Sequence, residues 1–168
     1  YLLLGQAANG KDIDLEVFGL DKAKLISVLS TYGQPIEVGK SLRVIKISHH
    51  PQWDFTLPEK PKISYREACA RRDFTINAMA LSLNKNSWSA LIDPYNGLED
   101  LKKKKICVLH DKSFIDDPTR ILRAVRFEQR LGFSIEKKTL ILLKAALENK
   151  CFFAVNIHRS FLEFKKML

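Results

Sequence analysis

Asp12 and Asp14 stand two residues apart in Lys11-Asp12-Ile13-Asp14. On a strand, residues i and i+2 project from one face a few ångströms apart. Carboxylates that close repel each other unless a cation lies between them. Hard oxygen donors suit Mg²⁺, which takes one or two carboxylates and completes its shell with water and phosphate oxygens. The bland reading of so short a pattern is a solvated strand edge. Two-metal phosphoryl transfer also needs a third carboxylate near the pair. Asp54, between Trp53 and Phe55 on a neighbouring predicted strand, is the candidate; the alternative is that it points to solvent.

Arg71-Arg72-Asp73-Phe74-Thr75-Ile76-Asn77-Ala78-Met79-Ala80 is the most specific segment. Arg72 could bind a triphosphate while Asp73 accepts from a ribose hydroxyl or fixes the arginine. Asn77, one helical turn on, would share the face of Asp73. The competing reading is a surface helix with an Arg–Asp pair. In Asp116-Asp117-Pro118-Thr119-Arg120-Ile121-Leu122-Arg123, Asp117 is a good N-cap and Pro118 an ideal first helical residue. Functionally, Asp117 and Arg120 could present an acceptor and a forked donor to a base edge, with Arg123 reaching phosphate. Arg120, Arg123, Arg126 and Arg130 exceed what a helix needs for solubility. Arg159 and Glu163, spaced i, i+4, predict an intrahelical pair. His49 and His50 read as loop residues, and Cys69 as core.

These residues must be positioned by an α/β frame. Residues 12 to 18 alternate, putting Ile13, Leu15 and Val17 on one face of a strand. Asp21 caps a helix over Lys22 to Tyr32, with Leu25, Ile26, Val28 and Leu29 as its buried stripe and Gly33 as its stop. Leu42 to Ile47 and Trp53 to Leu57 are strands, with Pro51 between them. A helix runs from Ser64 to about Met79, then strand-like Ala80 to Leu83 and Trp88 to Ile92, then a turn at Asp93-Pro94-Tyr95-Asn96-Gly97. Beyond Leu98 the apolar spacing turns helical, which places a boundary near residue 100. Lys102 to Lys105 reads as a solvated loop.

The 168 residues admit one domain with a helical extension. Lys and Arg number 28 against 19 acids, a net charge of +9, which favours a polyanionic partner. Cys69, Cys107 and Cys151 lack the spacing of a zinc site or disulfide framework, so a reducing, cytoplasmic compartment is expected. No apolar run is long enough to span a membrane, and Tyr1-Leu2-Leu3-Leu4 is too short for a signal peptide. The chain has no initiator Met and reads as part of a longer protein.

In order and spacing, these segments resemble the class II tRNA nucleotidyltransferase and bacterial poly(A) polymerase family, within the polymerase-β-like nucleotidyltransferases. Leu3-Leu4-Gly5, Lys11 to Asp14, Asp54 to Pro58, Arg71 to Ala80, Ile92 to Leu101, Asp116 to Phe127, and Arg159 with Glu163 carry the likeness. It implies a mixed-sheet nucleotidyltransferase head over residues 1–100 and an all-helical neck over 101–168. The implied activity is template-independent CCA addition to the tRNA 3′ end from CTP and ATP, with pyrophosphate leaving. The alternatives are CC-adding, A-adding or poly(A)-adding enzymes and, in a different class, a non-catalytic RNA-binding module.

By the same resemblance, Asp12 and Asp14 would hold two Mg²⁺ ions, with Mn²⁺ as a substitute, and Asp54 would be the third carboxylate. Arg72 would contact the nucleotide phosphates, with Asp73 and Asn77 around the sugar. Asp117 and Arg120 would read the base, Arg123 would assist, and Arg159 with Glu163 would brace the neck. Three departures stand out. The family's Gly-Gly-x-x-Arg-Asp segment is expected just before residue 1, and its body and tail after Leu168. The connection from Pro58 to Ser64 is short. Glu59 and Cys107 stand where the family usually has Arg.

Overall fold

In the computed structural model, which describes residues 12–38, 44–60, 62–151 and 157–167, the alternation after Lys11 becomes strand β1 (Ile13–Glu16). Leu3-Leu4-Gly5, Lys11, Leu42 and Arg43 lie outside the described residues. Helix α1 (Lys22–Leu29) starts where expected, because the Asp21 side chain accepts from the Lys24 amide at 2.8 Å. It ends three residues before Tyr32. The Ser30 and Thr31 hydroxyls donate back to the carbonyls of Ile26 and Val28, occupying acceptors at the helix end. Leu25 and Leu29 are buried, Ile26 partly so, and Val28 is exposed rather than part of the stripe.

β2 (Pro35–Val38), β3 (Val44–Ile47) and β4 (His50–Thr56) complete a four-stranded sheet in the order β1-β4-β3-β2. The β1–β4 pair is parallel and the other two pairs are antiparallel, so the sheet is mixed as expected. Ile45 and Ile47 point to α1 and pack with Leu25 and Leu29, backed by Val17, Ile26, Phe55 and Leu57. Burial of each such Leu or Ile stabilises the fold by about 1.5–3 kcal/mol. Two expectations are corrected here. Pro51 lies within β4, not between strands, and His50 opens that strand instead of sitting in a loop. A proline fits because the β3–β4 register shifts between Ile45 and Ile47, which leaves a bulge where its missing amide is not needed.

The chain divides into two compact units, Tyr1–Ser64 and Tyr65–Leu168. The second opens with α2 (Tyr65–Cys69), and the long helix expected up to Met79 stops there. Phe74 instead forms a β-bridge with Val108, the Thr75 amide donates to the Cys107 carbonyl, and Thr75–Asn77 is a 3-10 turn. Burial of Phe74 overrides local helix propensity: its ring is fully enclosed with Ile106, Phe114, Ile121, Ala124, Phe133, Leu143 and Ala146. Cys69 is core, as expected.

After a short hairpin of β5 (Ala80–Leu81) and β6 (Leu91–Ile92), the turn at Asp93 to Gly97 starts α3 (Gly97–Lys102). The Asp93 carboxylate accepts from the amides of Gly97 and Leu98 at 2.7 and 2.9 Å. β7 (Lys105–Ile106), α4 (Ser113–Asp116), α5 (Thr119–Leu131), β8 (Ser134–Ile135), α6 (Lys137–Glu148) and α7 (Ile157–Lys165) follow. β7 and β8 pair in parallel, so among the described residues beyond 100 the helices are accompanied by one short ladder and by the bridge from Val108 to Phe74. Contact density separates the chain at Ser64, whereas the sequence-based boundary near residue 100 marks a change in hydrophobic spacing.

Candidate functional site

In the first unit, β1 and β4 run side by side with Asp14 opposite Asp54 and Leu15 opposite Phe55. Residues opposite each other on paired strands share a face, and neighbouring strands lie about 4.8 Å apart. Phe55 faces α1. Asp14 and Asp54 therefore face the other way, with Asp12 two residues back on the same side. Asp12 and Asp14 are exposed and Asp54 is half-buried.

Sequence reasoning missed Lys46. In Val44-Ile45-Lys46-Ile47 its neighbours are buried on the helix side, so Lys46 belongs to the carboxylate face. Its ammonium donates a short hydrogen bond to Asp54 Oδ1 and a second, of 2.8 Å, to the Pro51 carbonyl. That bond to Asp54 raises the Lys46 pKa above the ordinary lysine value. Partial desolvation opposes the rise, and the charges of Asp54, Asp12 and Asp14 add to it. Alternation within β3 was the signal that could have found this residue.

The acids offer only oxygen donors, which fits a hard divalent cation. Among the described residues no three His, Cys, Asp or Glu side chains converge tightly enough to enclose an ion. The fit is that of a pair, Asp12 and Asp14, which leaves coordination positions for water and phosphate oxygens.

The second unit holds the remaining candidates. Asp73 is buried; its Oδ1 accepts from the Phe74 amide at 2.8 Å and from Asn77 Nδ2 at 2.9 Å. Asn77 thus meets Asp73 as expected, through a 3-10 turn instead of an α-helical one. Asp73 Oδ2 takes Arg123 Nε at 2.8 Å and Arg123 Nη2 in a shorter contact, a forked pairing. Arg72 is half-buried in the turn after α2, its amide donating to the Cys69 carbonyl.

Arg123 also donates to Glu163 at 3.1 Å, and Glu163 accepts from Lys166 at 3.0 Å. Arg126 Nε lies 3.1 Å from Glu163 Oε2, yet neither atom has an aligned hydrogen-bond partner, so this contact is Coulombic. Burial opposes the Glu163 charge, but Lys166, Arg123 and Arg126 outweigh it and hold the carboxyl below the ordinary Glu value. Burial likewise opposes the Arg123 charge, which Asp73 and Glu163 restore.

Asp117 serves the start of α5, accepting from the Thr119 hydroxyl at 2.7 Å and its amide at 3.2 Å. It also accepts from Arg159 Nη2 at 2.7 Å. Desolvation pushes the Asp117 carboxyl up, yet these donors hold it below the ordinary Asp value. The intrahelical Arg159–Glu163 pair is not formed: Arg159 pairs with Asp117 just ahead of α5, and Glu163 with Arg123 and Arg126 of α5 and with Lys166.

Arg120 is buried, donating through Nη1 to the Ser113 hydroxyl and carbonyl at 2.7 and 3.1 Å and through Nη2 to the Arg71 carbonyl at 2.7 Å. Asp117 and Arg120 thus adjoin in sequence, but each is claimed by other partners. Arg126 is buried as well, so much of the arginine surplus on α5 forms internal ties.

Lys103 at the end of α3 pairs with Glu99 at 2.5 Å, and Lys105 donates to Ser134 at 2.9 Å, so part of the lysine run is locally engaged. Among the described residues no helix is long and apolar enough to cross a membrane, and all three cysteines are free.

The strands that carry Lys46 and Asp54 and the segment from Arg71 to Ala80 all fall within the match to one family model. Residues 22–107 match the poly A polymerase head domain. The chain belongs to that family. It is 53% identical over 90 residues to an A-adding tRNA nucleotidyltransferase of Aquifex aeolicus, covering 54% of the chain and 11% of that protein. It is 34% identical over 160 residues to the multifunctional CCA protein of Xylella fastidiosa, covering 88% of the chain and 37% of that protein. Among solved structures, a Thermotoga maritima CCA-adding enzyme complexed with tRNA superposes with a TM-score of 0.87 at 37% identity, covering 99% of the chain and 40% of its own. The chain therefore spans well under half the length of these relatives.

Proposed function

We propose that this chain is the catalytic end of a CCA-adding tRNA nucleotidyltransferase. A tRNA 3′ hydroxyl attacks the α-phosphate of CTP or ATP, and pyrophosphate leaves. The observation that most supports this reading is the pairing of β1 with β4, which sets Asp14 beside Asp54 with Asp12 on the same face. Asp12 and Asp14 would hold Mg²⁺ ions, with Mn²⁺ as a substitute, and Asp54 would be the third carboxylate, near the attacking hydroxyl. Such ions neutralise the charge that develops on the transferring phosphate.

The other roles belong to the chain's own side chains. Arg72 binds phosphate, and Asp73 with Asn77 adjoins the sugar. Asp117, Arg120 and Arg123 form the base-reading group, in which Asp117 is the acceptor. In this reading residues 1–100 are the head and 101–168 the neck, consistent with a head-domain match that stops at residue 107. The setting is the cytoplasm, and the net charge of +9 suits a tRNA partner.

The identity with an A-adding enzyme favours a second reading, in which only the terminal A is added. Nucleotide incorporation by the full-length protein separates the two. Under CCA addition, tRNAs ending at the discriminator, at C and at CC are all completed; under A addition, only the CC end is extended. Asp12→Ala should abolish incorporation in either case. Full activity of that variant would refute the metal assignment, whereas no incorporation by the wild-type protein on any of these tRNAs would favour a non-catalytic RNA-binding module.

A further inference from the structure

Lys46 carries a positive charge on the face that the metal reading assigns to cations. It is anchored at two points, the Asp54 carboxylate and the Pro51 carbonyl, and its neighbours Ile45 and Ile47 are fully buried. The backbone of β3 therefore fixes where the ammonium stands. Register fixes the acids just as firmly, since Asp14 and Asp54 are opposite each other on adjoining strands. Three carboxylates on one face without a fixed cation would repel one another.

We propose that Lys46 is a positioning residue of the acidic face: it holds Asp54 as its own partner, so that a divalent ion binds through Asp12 and Asp14 against the repulsion of the lysine charge. The inference rests on the metal reading of Asp12 and Asp14 and assigns this site a residue outside the family motifs found in the sequence. It has two consequences. Asp54 is not a direct ligand of the ion while Lys46 is present. Ion affinity is set below what the acids alone would give, which keeps the site dependent on the additional oxygens of a nucleotide triphosphate.

The same geometry rules out a purely solvated role for Lys46. A lysine serving only solubility would not donate to a half-buried aspartate and a bulge carbonyl at once. Lys22 provides the contrast: it pairs with Glu37 at 2.7 Å, with both side chains about half exposed.

Mn²⁺ titration of the full-length protein without nucleotide, read by electron paramagnetic resonance, tests the proposal. Lys46→Met should bind Mn²⁺ about tenfold more tightly, the size expected when a single positive charge near a divalent ion is removed in a water-like dielectric. Lys46→Arg and Lys22→Met should match the wild type. Asp54→Asn should weaken Mn²⁺ binding in the wild-type background, since it leaves the Lys46 charge unneutralised, and should also weaken it in the Lys46→Met background, where Asp54 is free to meet the ion. Should Lys46→Met misfold, Lys46→Gln carries the same expectation, with circular dichroism checking the fold. Asp12-dependent binding that is unchanged or weaker in the lysine variants would overturn this proposal alone. Absence of any Asp12-dependent binding would overturn the metal reading and the proposal with it.

Discussion

Replacing Arg123 with methionine would remove the cation shared by two buried acids. Asp73 would lose its forked partner and Glu163 its 3.1 Å contact. The side chains of these acids are only 8% and 10% exposed, so water cannot replace the arginine. Truncating one partner of a buried pair costs roughly 3–5 kcal/mol. The lower end applies here, because Asp73 keeps the Phe74 amide and Asn77, and Glu163 keeps Lys166 and Arg126. Methionine also preserves part of the packing on the Phe127 ring, which lies 5.7 Å from the guanidinium carbon.

A loss of about 3 kcal/mol is a large share of the roughly 5–15 kcal/mol that stabilises a typical domain. In a protein of this size it should lower the melting temperature by about 6–12 °C. Urea and thermal denaturation followed by circular dichroism would measure it. Asp73→Asn combined with Arg123→Met should cost less than the sum of the two single changes, since the double variant leaves no orphaned charge at Asp73. A loss below about 1 kcal/mol for Arg123→Met, with strictly additive singles, would refute the claim that the pair is buried and coupled.

Asp117 and Glu163 are both held below their ordinary values, so the stability they contribute is complete above the unfolded-state values of 3.8 and 4.5 and is lost as pH falls through the lower folded-state values. Urea midpoints should stay level near neutrality and drop steeply in acid, and Asp117→Asn and Glu163→Gln should each flatten that drop. Burial, assisted by the charge of Asp100, pushes the Cys107 thiol up to about 12, so it should resist iodoacetamide at pH 8 in the folded protein and react on unfolding, as mass spectrometry would show. Gly97→Ala would set a Cβ 2.2 Å from the Thr75 carbonyl oxygen, a collision with backbone that cannot swing aside. A loss of about 1–3 kcal/mol in urea denaturation is expected from such overpacking.

The elements that could be read from sequence are those whose signal is local. β1 follows from period-2 alternation and the start of α1 from Asp21, because each depends on residues within one turn or strand. The helix expected from Ser64 to Met79 failed for the opposite reason: the full burial of Phe74 and its bridge to Val108 are tertiary facts. The edge strand β2 gave no warning, being four residues long and opening with a proline. For the site, spacing brought Asp12, Asp14 and the pairing of Asn77 with Asp73 to notice, but not the Arg123 contacts of Asp73 or the Lys46 contact of Asp54. The i, i+4 rule paired Arg159 with Glu163, whereas in the structure Arg159 pairs with Asp117 and Glu163 with three cations, and all of these partners but Lys166 are distant in sequence. Lys46 was overlooked because a lysine within a strand defaults to solvent and no motif contains it.

The internal ties of the second unit separate residues that sequence reasoning had grouped. Arg120 is buried and donates to three oxygens, so freeing its guanidinium would leave unsatisfied acceptors in the interior at a cost of about 1–3 kcal/mol each. Asp117 differs because its long-range partner is Arg159, whose side chain is 59% exposed. An ion pair so open to water is worth roughly 0–1 kcal/mol, and the released guanidinium would be rehydrated at once. A base offering an amino hydrogen to Asp117 therefore competes only with Arg159, while the Thr119 donors can stay in place to hold the carboxylate oriented. Within the proposed base-reading group, Asp117 is the exchangeable member and Arg120 the fixed one. Arg120 ties the backbone carbonyl of Arg71 to α4 and α5 through a buried guanidinium whose three acceptors have no water to replace it.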